Sequence, residues 1–327
     1  MNGLQIALIA LGALTICVLL TSFVCFMKCF YSPRRNKKES DKIELPPSSY
    51  YDGIYEDMKK WINDARTLPH KTYKIKSYDG LTLVGNYYEC KKGAPIEILF
   101  HGYRGNAERD MSAAIERCFA LERNALIVNQ RASGLSEGHV ITFGLRERYD
   151  CLKWIDFVIS ELGSDVKIIL TGVSMGGSTV MLASGENLPS NVVCILSDCA
   201  FSSAKEIICK TIRDMHLPPK LLFPFVKLGA LLFGHFRLEK DTPYKAAKRA
   251  RVPVIFIHGE EDSYVPYEMS ISLFDACGSK IKKIVTIPRA KHGVSFPINK
   301  EMYLSALREF EKEWMNNEQK SQVDLDK

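Results

Sequence analysis

Val166-Lys167-Ile168-Ile169-Leu170-Thr171-Gly172-Val173-Ser174-Met175-Gly176-Gly177 is the most telling stretch of this 327-residue chain. Val166 to Leu170 is a short apolar run rich in β-branched residues, the kind that forms a strand buried on both faces. Ser178 to Ala183, just beyond, has a helical pattern. Between them lies a G-x-S-x-G pattern centred on Ser174. At a strand-to-helix junction this pattern forces a sharp turn that holds the serine hydroxyl exposed at the carboxyl edge of a sheet. Side chains at the glycines would collide with the tight backbone. Alone the pattern is weak; in this setting it predicts a nucleophile.

Outward from there the chain alternates. Tyr73–Ser77 and Leu81–Tyr87 have roughly period-two patterns joined by Tyr78-Asp79-Gly80, a hairpin signal. Short, largely apolar runs follow at Ile96–Phe100, Ala125–Val128, Val192–Leu196, Val252–Ile257 and Ile281–Ile287. Helical patterns lie between most of them, at Ala107–Leu121, Leu145–Leu162 and Met269–Cys277. Such alternation predicts an α/β fold: a mostly parallel central sheet with helices on both faces. Ser203 to Arg251 breaks the rhythm with apolar clusters and no strand, and is expected to form a helical cap over about 203–247.

A serine nucleophile needs a base, and the base needs an acid to orient it. On this kind of sheet both follow the serine, acid first. His292 sits in the loop after the last apolar run, and Glu260-Glu261-Asp262 follows the run ending at Ile257. Asp262 is the leading acid, with Asp198 and Glu261 as rivals. Of the other histidines, His101 and His258 precede glycines at strand ends, where an imidazole usually satisfies backbone groups. Met175, directly after the nucleophile, supplies one expected oxyanion donor through its N–H. Tyr103, in His101-Gly102-Tyr103-Arg104-Gly105-Asn106, supplies the other. Arg104 has two readings, a contact for an acidic substrate group or a plain exposed cation.

With these motifs in hand, residues from about 70 to 315 resemble the α/β-hydrolase superfamily, specifically the serine aminopeptidase/prolyl-oligopeptidase-like branch of bacterial hydrolases. The matching pieces are His101-Gly102-Tyr103, Gly172 to Gly177, His258-Gly259-Glu260-Glu261-Asp262-Ser263-Tyr264-Val265-Pro266 and His292-Gly293. The resemblance implies a catalytic triad of Ser174, Asp262 and His292. One departure stands out. Where many relatives have an Asp-x-Arg-Gly-x-Gly-x-Ser turn, this chain has Asn129-Gln130-Arg131-Ala132-Ser133-Gly134-Leu135-Ser136.

The N-terminus carries a different signal. Ile6 to Met27 has no charge, and its 22 residues reach roughly 33 Å as a helix, enough to cross a hydrocarbon core. No positive residue precedes the run and no small-residue cleavage site ends it, so an uncleaved transmembrane helix is expected rather than a signal peptide. Lys28, Arg34, Arg35, Lys37 and Lys38 follow it, which by the positive-inside rule places the rest of the chain in the cytoplasm. Ten cysteines without a C-x-x-C pair fit a reducing compartment. The expected organisation is an anchor at 1–31, a linker and short helix at 32–66, a hydrolase domain at 67–317 and a polar tail at 318–327.

These readings converge on a membrane-anchored serine hydrolase of carboxylesterase or lipase type, acting on a small acyl-containing substrate. The Leu- and Phe-rich cap raises a lipid-like acyl group as one option. Thioesterase or peptidase activity on the same triad is the alternative, and a non-catalytic membrane-tethered protein is the reading of another class. No H-E-x-x-H spacing or dinucleotide fingerprint occurs, so neither metal nor organic cofactor is expected. The +6 net charge is too scattered to argue for nucleic acid.

Overall fold

The computed structural model describes residues 2–33, 43, 45 and 49–325. Most of the expected linker, including Arg34, Arg35, Lys37 and Lys38, lies outside these, as do the last two residues of the tail.

Eight strands form one sheet: β1 (Lys71–Lys76), β2 (Thr82–Tyr88), β3 (Ile96–Phe100), β4 (Asn124–Val128), β5 (Ile168–Val173), β6 (Val192–Asp198), β7 (Val254–Gly259) and β8 (Lys282–Ile287). Their order across the sheet is β1-β2-β4-β3-β5-β6-β7-β8. β1 and β2 form the expected antiparallel hairpin, β2 also pairs antiparallel with β4, and every later pairing is parallel. β3, β4 and β6 are buried along their whole length, as near-continuous apolar strands between two helical layers should be.

The helices are α1 (Gly3–Cys29), α2 (Tyr55–Thr67), α3 (Ala107–Ala120), α4 (Glu147–Leu162), α5 (Met175–Ala183), α6 (Ala204–Asp214), α7 (Pro219–Leu232), α8 (Pro243–Ala247), α9 (Tyr267–Ala276), α10 (Ser295–Ile298) and α11 (Lys300–Leu325). The cap is α6, α7 and α8, inserted between β6 and β7 as its lack of strand pattern indicated. Asn106 caps α3 by accepting from the Arg109 N–H, and Ser203 caps α6 through Glu206, each satisfying one of the free amides that begin a helix.

α1 is apolar and long enough to cross a membrane, and most of it touches nothing else in the protein. Its last two turns behave differently. Ser22, Phe26 and Phe30 are buried, and Phe26 and Phe30 join a cluster with Phe143, Met175, Phe201, Val226 and Phe236. Phe30 meets Phe236 and Phe143 edge-on at 5.2 and 5.8 Å between ring centres. A Cβ added at Gly229 of α7 would lie 2.4 Å from the Ser22 carbonyl oxygen, so the absence of a side chain lets the two helices approach. Beyond the helix, Ser32 N–H donates to the His139 carbonyl and Ile141 N–H to that of Phe30. The end of the apolar helix is therefore part of the folded body.

This packing has a measurable consequence. Replacing fully buried Phe30 with alanine should cost about 3–5 kcal/mol, the usual range for emptying an aromatic core site. Leu14→Ala, on the exposed part of the same helix, should leave the unfolding midpoint of the full-length protein in detergent unchanged. Equal midpoints for the two variants would show that the helix end carries no part of the core.

Candidate functional site

The strand order brings distant loops together. β3 lies beside β5, with Phe100 opposite Gly172, so the loop after β3 abuts the turn after β5. β5 in turn pairs with β6, with Val173 opposite Asp198. β5 runs three residues further than its apolar pattern suggested, to the residue before Ser174. Ser174 then adopts φ 57° and ψ −117°, a left-handed conformation that bends the strand into α5. Its N–H donates to the Asp198 carbonyl at 2.9 Å. A Cβ on Gly176 would sit 1.9 Å from the Phe100 carbonyl oxygen, so only glycine lets α5 start this close to β3.

His292 and Asp262 reach the same edge from the loops after β8 and β7. His292 Nε2 lies 2.9 Å from Ser174 Oγ, and His292 Nδ1 lies 2.7 Å from Asp262 Oδ2. Ser174, His292 and Asp262 are all buried. Asp262 is heavily bonded: Oδ1 accepts from the N–H groups of Tyr264 and Val265 at 2.9 and 2.8 Å. His258 Nε2 lies 3.2 Å from the same Oδ2. Burial works to raise the Asp262 carboxyl, but hydrogen bonds from His258, His292 and Val265 outweigh it and hold the group below the usual carboxylate range. It stays an anion at neutral pH.

The rival acids are placed elsewhere. Asp198 accepts from Tyr303 Oη at 2.9 Å and Ser295 Oγ at 3.3 Å, and burial raises its pKa. Glu261 is exposed on the loop surface. His101 takes the Gln130 N–H on Nε2 and bonds the Gly102 carbonyl through Nδ1, while His258 bonds the Val265 carbonyl and Ser270 Oγ. Both therefore satisfy neighbouring groups at strand ends.

Met175 is the first residue of α5, so its N–H is one of the amides a helix cannot pair internally. Tyr103 borders the same cavity as Ser174 and His292, a cleft of about 320 Å³. The altered turn after β4 persists around Arg131, which is clamped by Asp150 and Asp79 with four bonds of 2.7–3.0 Å. Gln130 in that turn donates to the His101 carbonyl at 2.6 Å, tying it to the loop that carries Tyr103.

Two contributors had no clear sequence signal. Part of the cleft's wall comes from Tyr51, Ile54, Met58 and Trp61, on a 3₁₀ turn (Ser49–Ile54) and α2. Their three- and four-residue spacing marked a helix but not a pocket wall. Arg104 borders the cleft, and its guanidinium is tied to the end of α1: Nη2 donates to the carbonyls of Lys28 and Tyr31 at 2.8 and 3.2 Å. Tyr103 Oη likewise donates to the Cys29 carbonyl at 2.8 Å.

The described residues bring one potential metal-ligand cluster together, Cys199, Asp262 and His292, with ligand atoms within 4.8 Å of one another. Burial raises the Cys199 thiol well above its ordinary value, and His292 and Asp262 are bonded to each other, so the donor set suits a hydrogen-bond relay better than an ion. All ten cysteines are free.

The fold and this arrangement define an α/β-hydrolase. The chain belongs to the prolyl oligopeptidase family, whose model matches residues 142–318, from the turn before α4 to the far part of α11. Over 93% of its length it is 23% identical to the uncharacterised Bacillus subtilis protein YqkD, covering 96% of that protein. It is 26% identical to the Schizosaccharomyces pombe protein bem46, over 77% of this chain and 79% of that one. Among solved structures, the Pyrococcus furiosus esterase Pf2001 superposes with a TM-score of 0.63 at 21% identity, over 84% of this chain and all of the esterase. Est1E from Butyrivibrio proteoclasticus with bound ferulic acid gives 0.56 at 21% identity, over 75% and 99%. At these identities the structural likenesses establish the fold.

The elbow packing is directly testable. Gly176→Ala places a methyl inside contact distance of the β3 backbone, so it should displace the turn or prevent folding. Circular dichroism and the yield of monodisperse protein would register it. Wild-type yield and stability for this variant would mean that the contact is not tight.

Proposed function

We propose that this protein is a serine hydrolase that cleaves an acyl ester through Ser174, His292 and Asp262 by way of an acyl-enzyme intermediate. The observation that carries the reading is the continuous relay of 2.9 and 2.7 Å from Ser174 Oγ through His292 to Asp262. His292 Nε2 accepts the Ser174 proton as the hydroxyl attacks the acyl carbonyl. Asp262, an anion held on Nδ1, fixes the tautomer and stabilises the imidazolium. The amides of Met175 and Tyr103 face the oxyanion. His292 returns its proton to the leaving group, then activates the water that releases the acid.

The cleft favours an ester over a peptide bearing a free amine. An amine would want an unpaired carboxylate, and the acid on the cleft wall, Asp110, has Arg109 Nε 2.6 Å away. The esterases named above share this fold, which supports the same direction. The uncleaved anchor is favoured by the buried Phe26 and Phe30, since cleavage after the apolar run would strip Phe26 from the core and leave Phe30 on a loose chain end. The positive flank after α1 argues for a single-pass protein with its catalytic body in the cytoplasm. The division into anchor 1–31, linker and helix 32–66, hydrolase 67–317 and tail 318–327 remains our organisation of the chain.

The test uses full-length protein in detergent with a fluorophosphonate probe, a p-nitrophenyl ester series, an acyl thioester and an aminoacyl anilide. Wild-type protein should label and turn over esters fastest; Ser174→Ala should do neither. Asp262→Asn should keep the fold and lower kcat by about 10⁴, the cost of losing the oriented tautomer. Labelling of Ser174→Ala equal to wild type would sink the assignment. Faster turnover of the thioester or anilide would move the substrate class, and no labelling of wild type would favour a non-catalytic protein.

A further inference from the structure

We infer that cap helix α7 lies in the membrane beside the end of α1, so that the two helices form one lipid-facing surface with the Ser174 cleft at headgroup level. The occupant of that surface is a lipid bilayer, and the ester presented to Ser174 is an amphiphile carried in it. The second half of this statement rests on the hydrolase reading above; the first does not.

The position of α1 sets the depth. Leu4 to Val24 spans about 31 Å of helix, close to the thickness of a hydrocarbon core, with all its large apolar side chains except Val18 exposed. Lys28 is the first charge in the chain after the amino terminus. The bilayer boundary therefore falls near Val24 to Lys28. Contacts to the cap begin at that depth: Gly229 seats against Ser22 and Phe26, and Phe233, just past α7, packs on Phe23 and Phe26 at 5.2 and 5.9 Å between ring centres. α7 is thus held against the part of α1 that leaves the hydrocarbon.

α7 has two faces. Phe223, Val226 and Ala230 point into the core. Leu221, Pro224, Leu228 and Leu232 follow at steps of three and four and form a second stripe. Leu221 and Leu232 are 62% and 40% exposed, too much apolar surface for a helix facing water on that side. The stripe flanks Gly229, where α7 seats on α1, so a bilayer that surrounds one helix also covers the other. Exposed Lys28 and Lys220 stand at its rim, where phosphate headgroups would lie. Tyr103 and Arg104 border the cleft and hold the carbonyls of Lys28, Cys29 and Tyr31, which places the cleft wall within a side chain's length of the boundary.

The experiment reconstitutes full-length protein in phosphatidylcholine vesicles with or without lipids brominated along the acyl chain. Tryptophan at position 221 (Leu221→Trp) should be quenched by the brominated lipid well beyond the unsubstituted protein. Tryptophan at position 78 (Tyr78→Trp), on the β1–β2 turn, should not. Quenching at 221 no greater than at 78 overturns the inference, and a cross-link between copies at that site in its place would assign the stripe to a second copy. For the substrate, Leu221→Asp with Leu232→Asp should slow hydrolysis of a long-chain ester in vesicles by about tenfold or more, since apolar area sets interfacial binding. Hydrolysis of a water-soluble acetyl ester should be unchanged; equal loss on both esters overturns the substrate claim. If unsubstituted protein hydrolyses neither ester, the hydrolase reading fails, while quenching at 221 still supports the lipid-facing surface.

Discussion

A contact between two backbones sets the geometry of the site. α5 begins directly beneath the carboxyl end of β3, with Gly176 against the Phe100 carbonyl at a distance no side chain permits. For that contact to exist, β3 and β5 must be parallel neighbours, and Phe100 must stand level with Gly172. Ser174 is then forced into positive φ, and its N–H is satisfied by the carbonyl of Asp198 on the next strand. The strain of this turn is tolerated because strands on both sides fix its ends. The loop carrying Tyr103 has nowhere to go except across the top of the serine.

From the elbow, polar groups extend back through the sheet. Asp198 accepts from Tyr303 on α11, and Arg117 on α3 approaches the same Tyr303 hydroxyl at 3.4 Å. Arg117 and Arg123 both bond Glu97, the second residue of β3, and Thr171 of β5 donates to it at 2.9 Å. Although burial opposes ionisation of Glu97, the two guanidinium groups hold it as a carboxylate with its pKa down to about 2. A charge so deep would be costly alone; paired, it joins β3, β5, α3 and α11 beneath the serine. Asp198 serves as a structural acceptor in this network, and the acid that meets His292 is Asp262.

Much of this was legible in the residues. The apolar runs gave the strands, G-x-S-x-G gave the elbow, and the order of acid and histidine after the serine gave the relay that the geometry brings together. β5 was expected to end at Leu170, where its apolar run stops. In the fold Thr171 is a fully buried strand residue whose hydroxyl answers Glu97, and Glu97 lies far away in sequence. Local pattern cannot show such a partner. α11 went unassigned for a related reason: Tyr303, Leu307, Phe310 and Trp314 are buried along one face, but the rest of the helix is strongly polar. The wall made by Tyr51 to Trp61 was visible as a helix yet not as part of the site, since spacing gives a face and not what the face meets.

The apolar helix also looked like a separate module, because composition marks a span without showing what its end touches. The last carbonyls of any helix lack partners within it and must find donors elsewhere. Here the donors come from the site: Tyr103 Oη bonds Cys29, Arg104 bonds Lys28 and Tyr31, and the Ile141 N–H bonds Phe30. Tyr103 therefore faces two ways, its hydroxyl on the helix end and its backbone beside Ser174. A shift of α1 against the cap would be felt at the residue proposed to hold the oxyanion, with no intervening element to absorb it. The apolar helix and the α/β body share one core, so the orientation of that helix and the orientation of the cleft are a single variable.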